Sequence, residues 1–331
     1  MYFTNSRILD MCKYSYLSNK TELDVNEIYN LYSNYGYNIV YSTKFNILKN
    51  VNEKPIYIEN KSECNTSCFI FQETLINKNN NSNSNNNNLC KNQNNIIVSF
   101  SGENLCSIKN YNYKKSVFKF PYENNDYFNI YPKVCDIYNQ NFEYIKENLN
   151  FYLEKLIDEN FMFDSNNSVT YLNSNESENN ILLQTNNNRN KTLKSEDFSY
   201  NIIFCGYNSG GAYAQLAALY YKLLYPNINI YCISYSSPRI GNYKFIDLFQ
   251  KYVNEYLRIE HINDIIPLKH SSLIYKHHNN VLYIGINDDN NKKYKLLYKF
   301  KNIFYGILNL YNFKQYTNYT ITDYLDYLEN L

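Results

Sequence analysis

Residues 200–224, YNIIFCGYNSGGAYAQLAALYYKLL, carry the strongest fold signal in this 331-residue chain. All four alanines of the sequence lie in this stretch, between Ala212 and Ala218, together with three of the eight glycines. Elsewhere Asn, Tyr, Lys, Ile and Leu dominate, so small side chains persist where the local geometry excludes larger ones. An apolar run, a glycine-rich turn and a helical segment that ends before Pro226 predict a strand, a tight turn and a helix.

Further segments extend this unit into an α/β pattern. Apolar runs bounded by polar, Gly or Pro residues alternate with segments of helical periodicity, which is typical of an α/β fold with a mostly parallel central sheet flanked by helices. Three of the strands end in polar loops, and ligand sites in such sheets form at these strand ends. The predicted strands are 96–100, 200–205, 228–235 and 256–262, and the predicted helices are 141–157 and 210–224.

The composition favours a single domain over residues 1–331 with two low-complexity insertions. Nothing divides the chain into halves of different charge. Asn-rich or aperiodic polar stretches at 78–95 and 164–197 predict disordered insertions. The net charge is +1, from 32 basic and 31 acidic side chains, so electrostatics give no reason to expect nucleic acid as a partner.

Cysteine usage and apolar patterns bear on cofactors and location. The eight cysteines form no CxxC pair and lack histidines at zinc-site spacing, so the sequence predicts free thiols, no metal site and no cofactor. No apolar run reaches the roughly 18 to 20 residues of a transmembrane segment, and residues 1–19 lack the apolar core of a signal peptide. A cytoplasmic location is therefore predicted. Lysines and aromatic residues interleave over 109–120, where peripheral contact with lipid is the alternative to a solvated strand and loop.

The turn at 206–211 has the spacing of a nucleophile elbow. Gly206 and Gly210 stand two residues before and two residues after Asn208, behind a strand and ahead of a helix, as in the α/β hydrolases. Glycine is needed at such positions because the strained central residue brings the neighbouring backbone and the helix close together. Gly211 continues the run of small residues into the helix.

Three motifs together resemble the fungal-type, or class 3, lipases. In that family GHSLGGA, GxPRVGN and NDIVP follow successive strands, and residues 206–212, 236–242 and 263–267 are similar to them in the same order. Residues 98–103, VSFSGE, resemble the family's VAFRGT. The resemblance implies an α/β-hydrolase fold and, for the family, hydrolysis of lipid esters such as triacylglycerols by a Ser-His-Asp triad.

The resemblance also places the triad positions, and two of them carry other side chains. Asn208 stands where the family has its nucleophilic serine, and Tyr324 of the segment DYLDY stands where it has the histidine of DHxxY. Asp264 matches the triad acid. Because Asn tolerates the positive φ common at the nucleophile, the turn can keep its shape without its chemistry. A phenol with its ordinary pKa of about 10 is a poor general base at neutral pH.

The oxyanion-hole positions also differ from the family. Glu103 stands where the family has Thr or Ser, and a carboxylate facing a developing oxyanion repels it. Ser209 corresponds to the family's Leu, which the resemblance implies contributes a backbone N–H to the hole. These changes predict that the chain has lost hydrolytic activity.

The four histidines offer no direct replacement for the missing base. His261 is expected to be buried and hydrogen-bonded, and His277 matches a non-catalytic histidine of the family. A role for His270 or His278 as base would require a rebuilt loop.

Two functional hypotheses follow. The first is a lipase-like protein without catalytic activity, which binds a lipid or acyl ligand or acts as a scaffold for a protein partner. The alternative is an active esterase or lipase with a non-standard nucleophile. That nucleophile would be Ser209 in a shifted turn, or an aspartate formed by deamidation of Asn208.

Overall fold

The computed structural model describes residues 2–19, 54, 56–60, 66–75, 93–102, 115–119, 121, 132–166, 200–270, 274–285 and 319–330. Several predictions fall outside these residues and are not tested by the structure. They concern Glu103, most of the insertions at 78–95 and 164–197, most of the segment 109–120, and Cys64, Cys90 and Cys106.

A seven-stranded sheet lies at the centre of the described residues and confirms the predicted α/β fold with a mostly parallel sheet. Its strands are β1 (Ile56–Asn60), β2 (Thr66–Leu75), β3 (Gln93–Phe100), β6 (Tyr200–Tyr207), β7 (Asn229–Tyr235), β8 (Glu255–His261) and β9 (Val281–Ile284), in the order β1-β2-β3-β6-β7-β8-β9. The first three strands pair antiparallel and β3 through β9 pair parallel. A separate antiparallel pair joins β4 (Lys115–Val117) to β5 (Lys133–Cys135).

Helices cover both faces of this sheet. They are α1 (Asn5–Leu17), α2 (Asp136–Asn166), α3 (Ser209–Leu224), α4 (Tyr243–Tyr252) and α5 (Ile321–Glu329), with a 3-10 turn at Ile266–Leu268. One apolar cluster packs α2, α3 and α4 on one face, and a second packs α1 and α5 on the other. Strand β6 feeds both clusters because successive side chains point to opposite faces: Ile202 and Phe204 join the first, Ile203 and Cys205 the second.

Two boundaries of the predicted insertions are wrong. Strand β3 begins at Gln93, so residues 93–95 belong to the sheet. Asn95 is buried, and its side-chain amide donates to Glu73 at 3.1 Å and accepts from Asn201 at 2.9 Å. Polar contacts therefore hold this end of the strand, where the sequence lacks an apolar pattern. Helix α2 likewise continues to Asn166, into the second predicted insertion.

A buried ion pair that the sequence analysis missed holds α1 to the sheet. Arg7 Nη2 lies 2.7 Å from Glu73 Oε2, and both side chains are buried. The Tyr14 hydroxyl donates to the same carboxylate at 3.3 Å. Removing either charge leaves the other uncompensated, which in such pairs costs about 3 to 5 kcal/mol. This cluster lies near the amino ends of β3 and β6, at the opposite edge of the sheet from the glycine-rich turn.

Candidate functional site

The turn between β6 and α3 has the strained geometry expected of a nucleophile elbow. Asn208 has φ 54° and ψ −121°, and φ is therefore positive as the sequence analysis expects. A Cβ on Gly206 would lie 2.4 Å from the carbonyl carbon and oxygen of Gly210, and one on Gly210 would lie 2.3 Å from the carbonyl oxygen of Phe100. Real Cβ atoms do not approach backbone this closely, so both positions require glycine.

The loop after β3 packs directly on this turn. A Cβ on Gly102 would lie 1.8 Å from the carbonyl oxygen of Tyr207 and 3.3 Å from Asn208 Cβ. The backbone N–H of Asn208 donates to the carbonyl oxygen of Tyr235 at 2.9 Å, which fixes the turn against β7. Asn208 is consequently fully buried.

The side chain of Asn208 makes no hydrogen bond within the described residues. Both its amide nitrogen and its amide oxygen are buried without a partner there. Leaving a buried polar group unsatisfied costs about 1 to 3 kcal/mol. The backbone of the turn is thus well supported while its central side chain is not.

Asp264 lies in the loop after β8 and is surrounded by donors. Its Oδ2 accepts from the hydroxyls of Tyr324, at 2.9 Å, and Ser236, and its Oδ1 accepts from the N–H of Ile266 at 3.0 Å. Burial raises the pKa of Asp264 to about 6, and these three hydrogen bonds oppose the rise. The carboxylate is therefore held in place by hydroxyl and backbone donors.

Ser236 is a functional neighbour that the sequence analysis did not single out. It occupies the first position of the segment similar to GxPRVGN, where the family has glycine, and its φ is 51°. A positive φ is uncommon for a residue with a side chain. The hydroxyl of Ser236 donates to Asp264, a contact that glycine does not make. A serine at a glycine position of the motif was the signal that could have identified it.

Tyr324 is placed over Asp264 by a well-capped helix. Thr320 and Asp323 form a capping box at the start of α5, and Tyr324 follows in the first turn. The Tyr324 hydroxyl donates to Asp264 and accepts the backbone N–H of His261 at 2.9 Å. The pKa of Tyr324 is raised well above its ordinary value, mainly by burial and to a smaller extent by the nearby Asp264 carboxylate. This shift in pKa favours the protonated phenol at neutral pH.

The three positions matched to the triad gather at the carboxyl ends of β6, β7 and β8. Asp264 and Tyr324 are directly bonded. The ring of Tyr324 lies edge-on to those of Tyr207 and Tyr235, at centroid distances of 6.1 and 6.4 Å, and Tyr207 precedes Asn208. Asn208 itself bonds to neither of the other two. Ser209, the position matched to an oxyanion-hole donor, is the buried first residue of α3.

Each of the four histidines packs against neighbouring groups. His261 stacks on Tyr319 at 3.8 Å, and its Nδ1 accepts the N–H of Asn263 at 3.3 Å. His270 Nε2 lies 3.2 Å from the Tyr138 hydroxyl, and burial lowers the pKa of His270 to about 3. The remaining two pack as follows: His277 Nε2 lies 2.7 Å from the carbonyl oxygen of Pro267, and the ring of His278 packs against Phe249 and Tyr256.

A cleft of about 590 Å³ opens beside α5. Asp323 and Asp326 give it acidic walls, and none of Asn208, Ser236 and Asp264 contributes to its lining. No group of three or more His, Cys, Asp or Glu side chains suited to a metal ion occurs within the described ranges. The lining residues are His261, Tyr319, Asp323, Asp326, Tyr327 and Asn330.

Comparisons with known proteins point to one family. The family model "Lipase (class 3)" matches residues 97–272. Lipase II from Rhizopus niveus is similar in structure, with a TM-score of 0.52, 15% identity, and coverage of 86% of this chain and 83% of that chain. Rhizomucor miehei triacylglyceride lipase gives a TM-score of 0.50 at 14% identity, with 87% and 83% coverage. At these identities the structural similarity establishes the fold alone.

No curated protein sequence matches the chain. Among the described residues, every helix is too short or too polar to cross a membrane.

Proposed function

The chain belongs to the class 3 lipase family, and from that premise we propose that it is a catalytically inactive member that binds a lipid or acyl ligand or acts as a scaffold. The observation that carries the proposal is that the hydroxyls of Tyr324 and Ser236 both donate to Oδ2 of Asp264. In the family's triad the acid orients a histidine, which takes the proton of the serine. In this chain two hydroxyls occupy Oδ2, and one of them belongs to the residue at the histidine position.

The residue at the centre of the elbow, Asn208, also supports an inactive protein. A carboxamide at position 208 has no ionisable proton to give up and no oxygen that a base can activate. In serine hydrolases, removing the triad costs about a millionfold in kcat, and the oxyanion hole and binding alone leave a small residual rate. Hydrolysis by this chain is therefore expected to stay at the background rate.

Lipid or acyl binding is proposed on the family and on the preserved elbow. Rhizomucor miehei triacylglyceride lipase, which shares this fold, is named for a lipid substrate. The chain keeps the elbow glycines and the position of the triad acid while its nucleophile and base are replaced, which supports a role that depends on the fold and not on catalysis. Recognition of an acyl chain needs apolar surface and no catalytic group.

Hydrolysis of short-chain p-nitrophenyl esters tests the inactive assignment. We expect the wild-type protein to match a heat-denatured sample and to form no adduct with a fluorophosphonate. The matched variants are Asn208→Ser with Tyr324→His, made with and without Ser236→Gly, and we expect fluorophosphonate labelling only in these. Burst kinetics together with a covalent adduct on the wild-type protein would refute the proposal.

Ligand binding is tested separately on the same preparation. Displacement of a bound fluorescent fatty acid by an unlabelled one, followed by native mass spectrometry, measures whether the folded protein holds an acyl chain. We expect saturable binding that is lost on unfolding. Absence of binding alongside absence of hydrolysis would leave the scaffold role as the surviving part of the proposal.

The alternative nucleophile Ser209 is tested with one substitution. The strained φ belongs to Asn208, and Ser209 already has helical backbone as the first residue of α3. We therefore expect Ser209→Ala to leave both ester hydrolysis and fluorophosphonate labelling unchanged from wild type. Activity that is present in wild type and absent from Ser209→Ala would support an active esterase.

A further inference from the structure

We propose that Asn208 and Ser209 close into a cyclic imide, and that this imide persists in the folded protein. The backbone nitrogen of Ser209 attacks the side-chain carbonyl carbon of Asn208, and the side-chain nitrogen leaves as ammonia. The proposal concerns a covalent modification of the elbow. It is independent of whether the protein hydrolyses esters or binds lipid.

The backbone torsion of Asn208 already has the value that the ring demands. Its ψ is −121°. Seen along the Cα–C bond, the substituents of an L-residue's Cα are spaced by about 120°, so this ψ makes Cβ eclipse the nitrogen of Ser209. A nearly planar five-membered imide requires that eclipsed arrangement, because Cβ and this nitrogen are both ring atoms. Most residues adopt other ψ values and must rotate before they can close.

The side chain of Asn208 has no hydrogen bond that would hold it away from the reacting nitrogen. Neither amide atom has a partner within the described part of the chain, and the residue is fully buried. Ring closure also removes the buried side-chain donor, since the amide nitrogen departs. The unsatisfied amide and the eclipsed torsion are independent observations that favour the same reaction.

The reaction balances without another reactant. A bond forms between Asn208 Cγ and Ser209 N, and the bond between Cγ and Nδ2 breaks. The hydrogen on Ser209 N leaves with the side-chain nitrogen to complete ammonia. No oxidant, reductant or cofactor takes part.

The product fits the helix that follows. Ser209 is the first residue of α3, and the imide leaves its nitrogen without a hydrogen. Proline is common at the first helical position, which shows that helices in general tolerate the loss of an N–H there. The ring would hold ψ near its present value, so α3 need not move.

Burial explains why the imide would last. Hydrolysis to aspartate or isoaspartate needs water at one of the two imide carbonyl carbons. Asn208 is 0% exposed and Ser209 is 2% exposed. The same enclosure that leaves the amide unsatisfied would thus protect the ring.

The chain contains a matched control for the dipeptide. Asn5 and Ser6 form the same pair at the start of α1, and both are exposed. Helical residues have ψ of about −42°, which leaves Cβ far from eclipsing the next nitrogen. Sequence chemistry is identical in the two pairs, so any difference between them reports backbone geometry and burial.

The experiment is peptide mapping of the full folded chain after storage at neutral pH. Digestion with trypsin at mildly acidic pH, where the ring survives, places Asn208 in peptide 195–222 and Asn5 in peptide 1–7. We expect the fraction lacking one ammonia to be larger at Asn208 by about tenfold or more, because ψ of Asn208 already has the value that the ring requires. Hydroxylamine should then cleave the chain after position 208.

Two controls separate geometry from chemistry. The Asn208→Ser variant should show no loss of ammonia in this peptide, with circular dichroism confirming its fold. In protein stored in urea, the fraction lacking one ammonia should be no larger at Asn208 than at Asn5, because unfolding frees the ψ torsion of Asn208. If peptide 195–222 from the folded protein keeps its unmodified mass, the proposal is overturned. Conversion of Asn208 to aspartate or isoaspartate in place of the imide would overturn its persistence.

Discussion

The turn at Asn208 and the pair formed by Asp264 and Tyr324 each include a position that the sequence resemblance matches to a catalytic residue of the family, but their surroundings differ. At the turn the backbone is tightly supported while the new side chain lacks hydrogen bonds within the described residues. At the pair the new side chain is fully integrated, because the Tyr324 hydroxyl both donates and accepts. One replacement is tolerated by the backbone, and the other is stabilised by its neighbours. Four measurements test this contrast.

The largest effect is expected from Gly210→Ala. The new Cβ would lie 2.3 Å from the carbonyl oxygen of Phe100 and 2.9 Å from the carbonyl of Ser101, so backbone must move. We expect a loss of about 3 to 5 kcal/mol in the free energy of unfolding, measured in urea. Gly211→Ala is the comparison: its Cβ would lie 2.9 Å from Ser237 Cβ, 3.0 Å from Ser234 Cβ and 3.1 Å from the carbonyl oxygen of Gly206, so we expect a definite but smaller loss. Equal losses in the two variants would contradict a tight elbow.

The second effect is the pH dependence due to Asp264. Its pKa is raised to about 6 in the folded protein, above the unfolded value of about 3.9, so folding favours the protonated form. The stabilisation is therefore fully present below the unfolded pKa and is lost as pH rises through about 6, by an amount on the order of 3 kcal/mol. Unfolding free energies of wild type and Asp264→Asn, compared from pH 4 to pH 7 at about unit steps, measure it.

Asp247→Asn serves as the control for that titration because Asp247 is exposed on α4. Its pH profile should follow wild type. If the wild-type profile and the Asp264→Asn profile are parallel over the acid range, Asp264 does not titrate as the geometry implies.

The third effect concerns Tyr324→Phe. Removal of the hydroxyl leaves Asp264 with one donor fewer and the N–H of His261 without its acceptor. We expect the free energy of unfolding to fall by about 2 kcal/mol, since hydrogen bonds to charged groups contribute about 1.5 to 3 kcal/mol. Tyr327→Phe on the same helix is the matched control and should change stability by less than about 0.5 kcal/mol. A larger loss of stability in Tyr327→Phe than in Tyr324→Phe would show that the Tyr324 hydroxyl is not stabilised by its neighbours.

The smallest effect is expected from Asn208→Gly. Glycine adopts a φ of 54° without strain, and the substitution removes no hydrogen bond to the described residues. We expect the free energy of unfolding to change by less than about 1 kcal/mol or to rise. Asn95→Ala provides the contrast, because Asn95 bonds to both Glu73 and Asn201. A larger loss at Asn208 than at Asn95 would reverse the contrast between a tolerated and an integrated side chain.

The sequence predicts the fold and the elbow because these depend on local patterns. Apolar runs in 200–205 and 228–235 mark buried strands, and the glycines at 206, 210 and 211 mark close backbone approaches that the structure contains. The positions of Asp264 and Tyr324 follow from motif order alone. Their hydrogen bond depends on how α5 packs over β8, which no local pattern encodes.

The polar interior is what the sequence analysis missed. Arg7, Glu73 and Asn95 lie in different segments, and each one alone is typical of an exposed position. They become interior residues because they satisfy one another, and pairing across distant segments leaves no periodic signal. Ser236 was missed for a different reason, since its departure from the motif's glycine was visible but its bond to Asp264 was not.

The hydroxyl of Ser236 makes the replacement at position 324 hard to reverse one step at a time. A histidine introduced at 324 would compete for an Oδ2 that Ser236 already occupies, and a glycine introduced at 236 would remove a donor on which Asp264 and Tyr324 now rely. Each of these single substitutions therefore disturbs a hydrogen bond of the present arrangement. On the proposed function, a working triad would therefore require coordinated change at several positions.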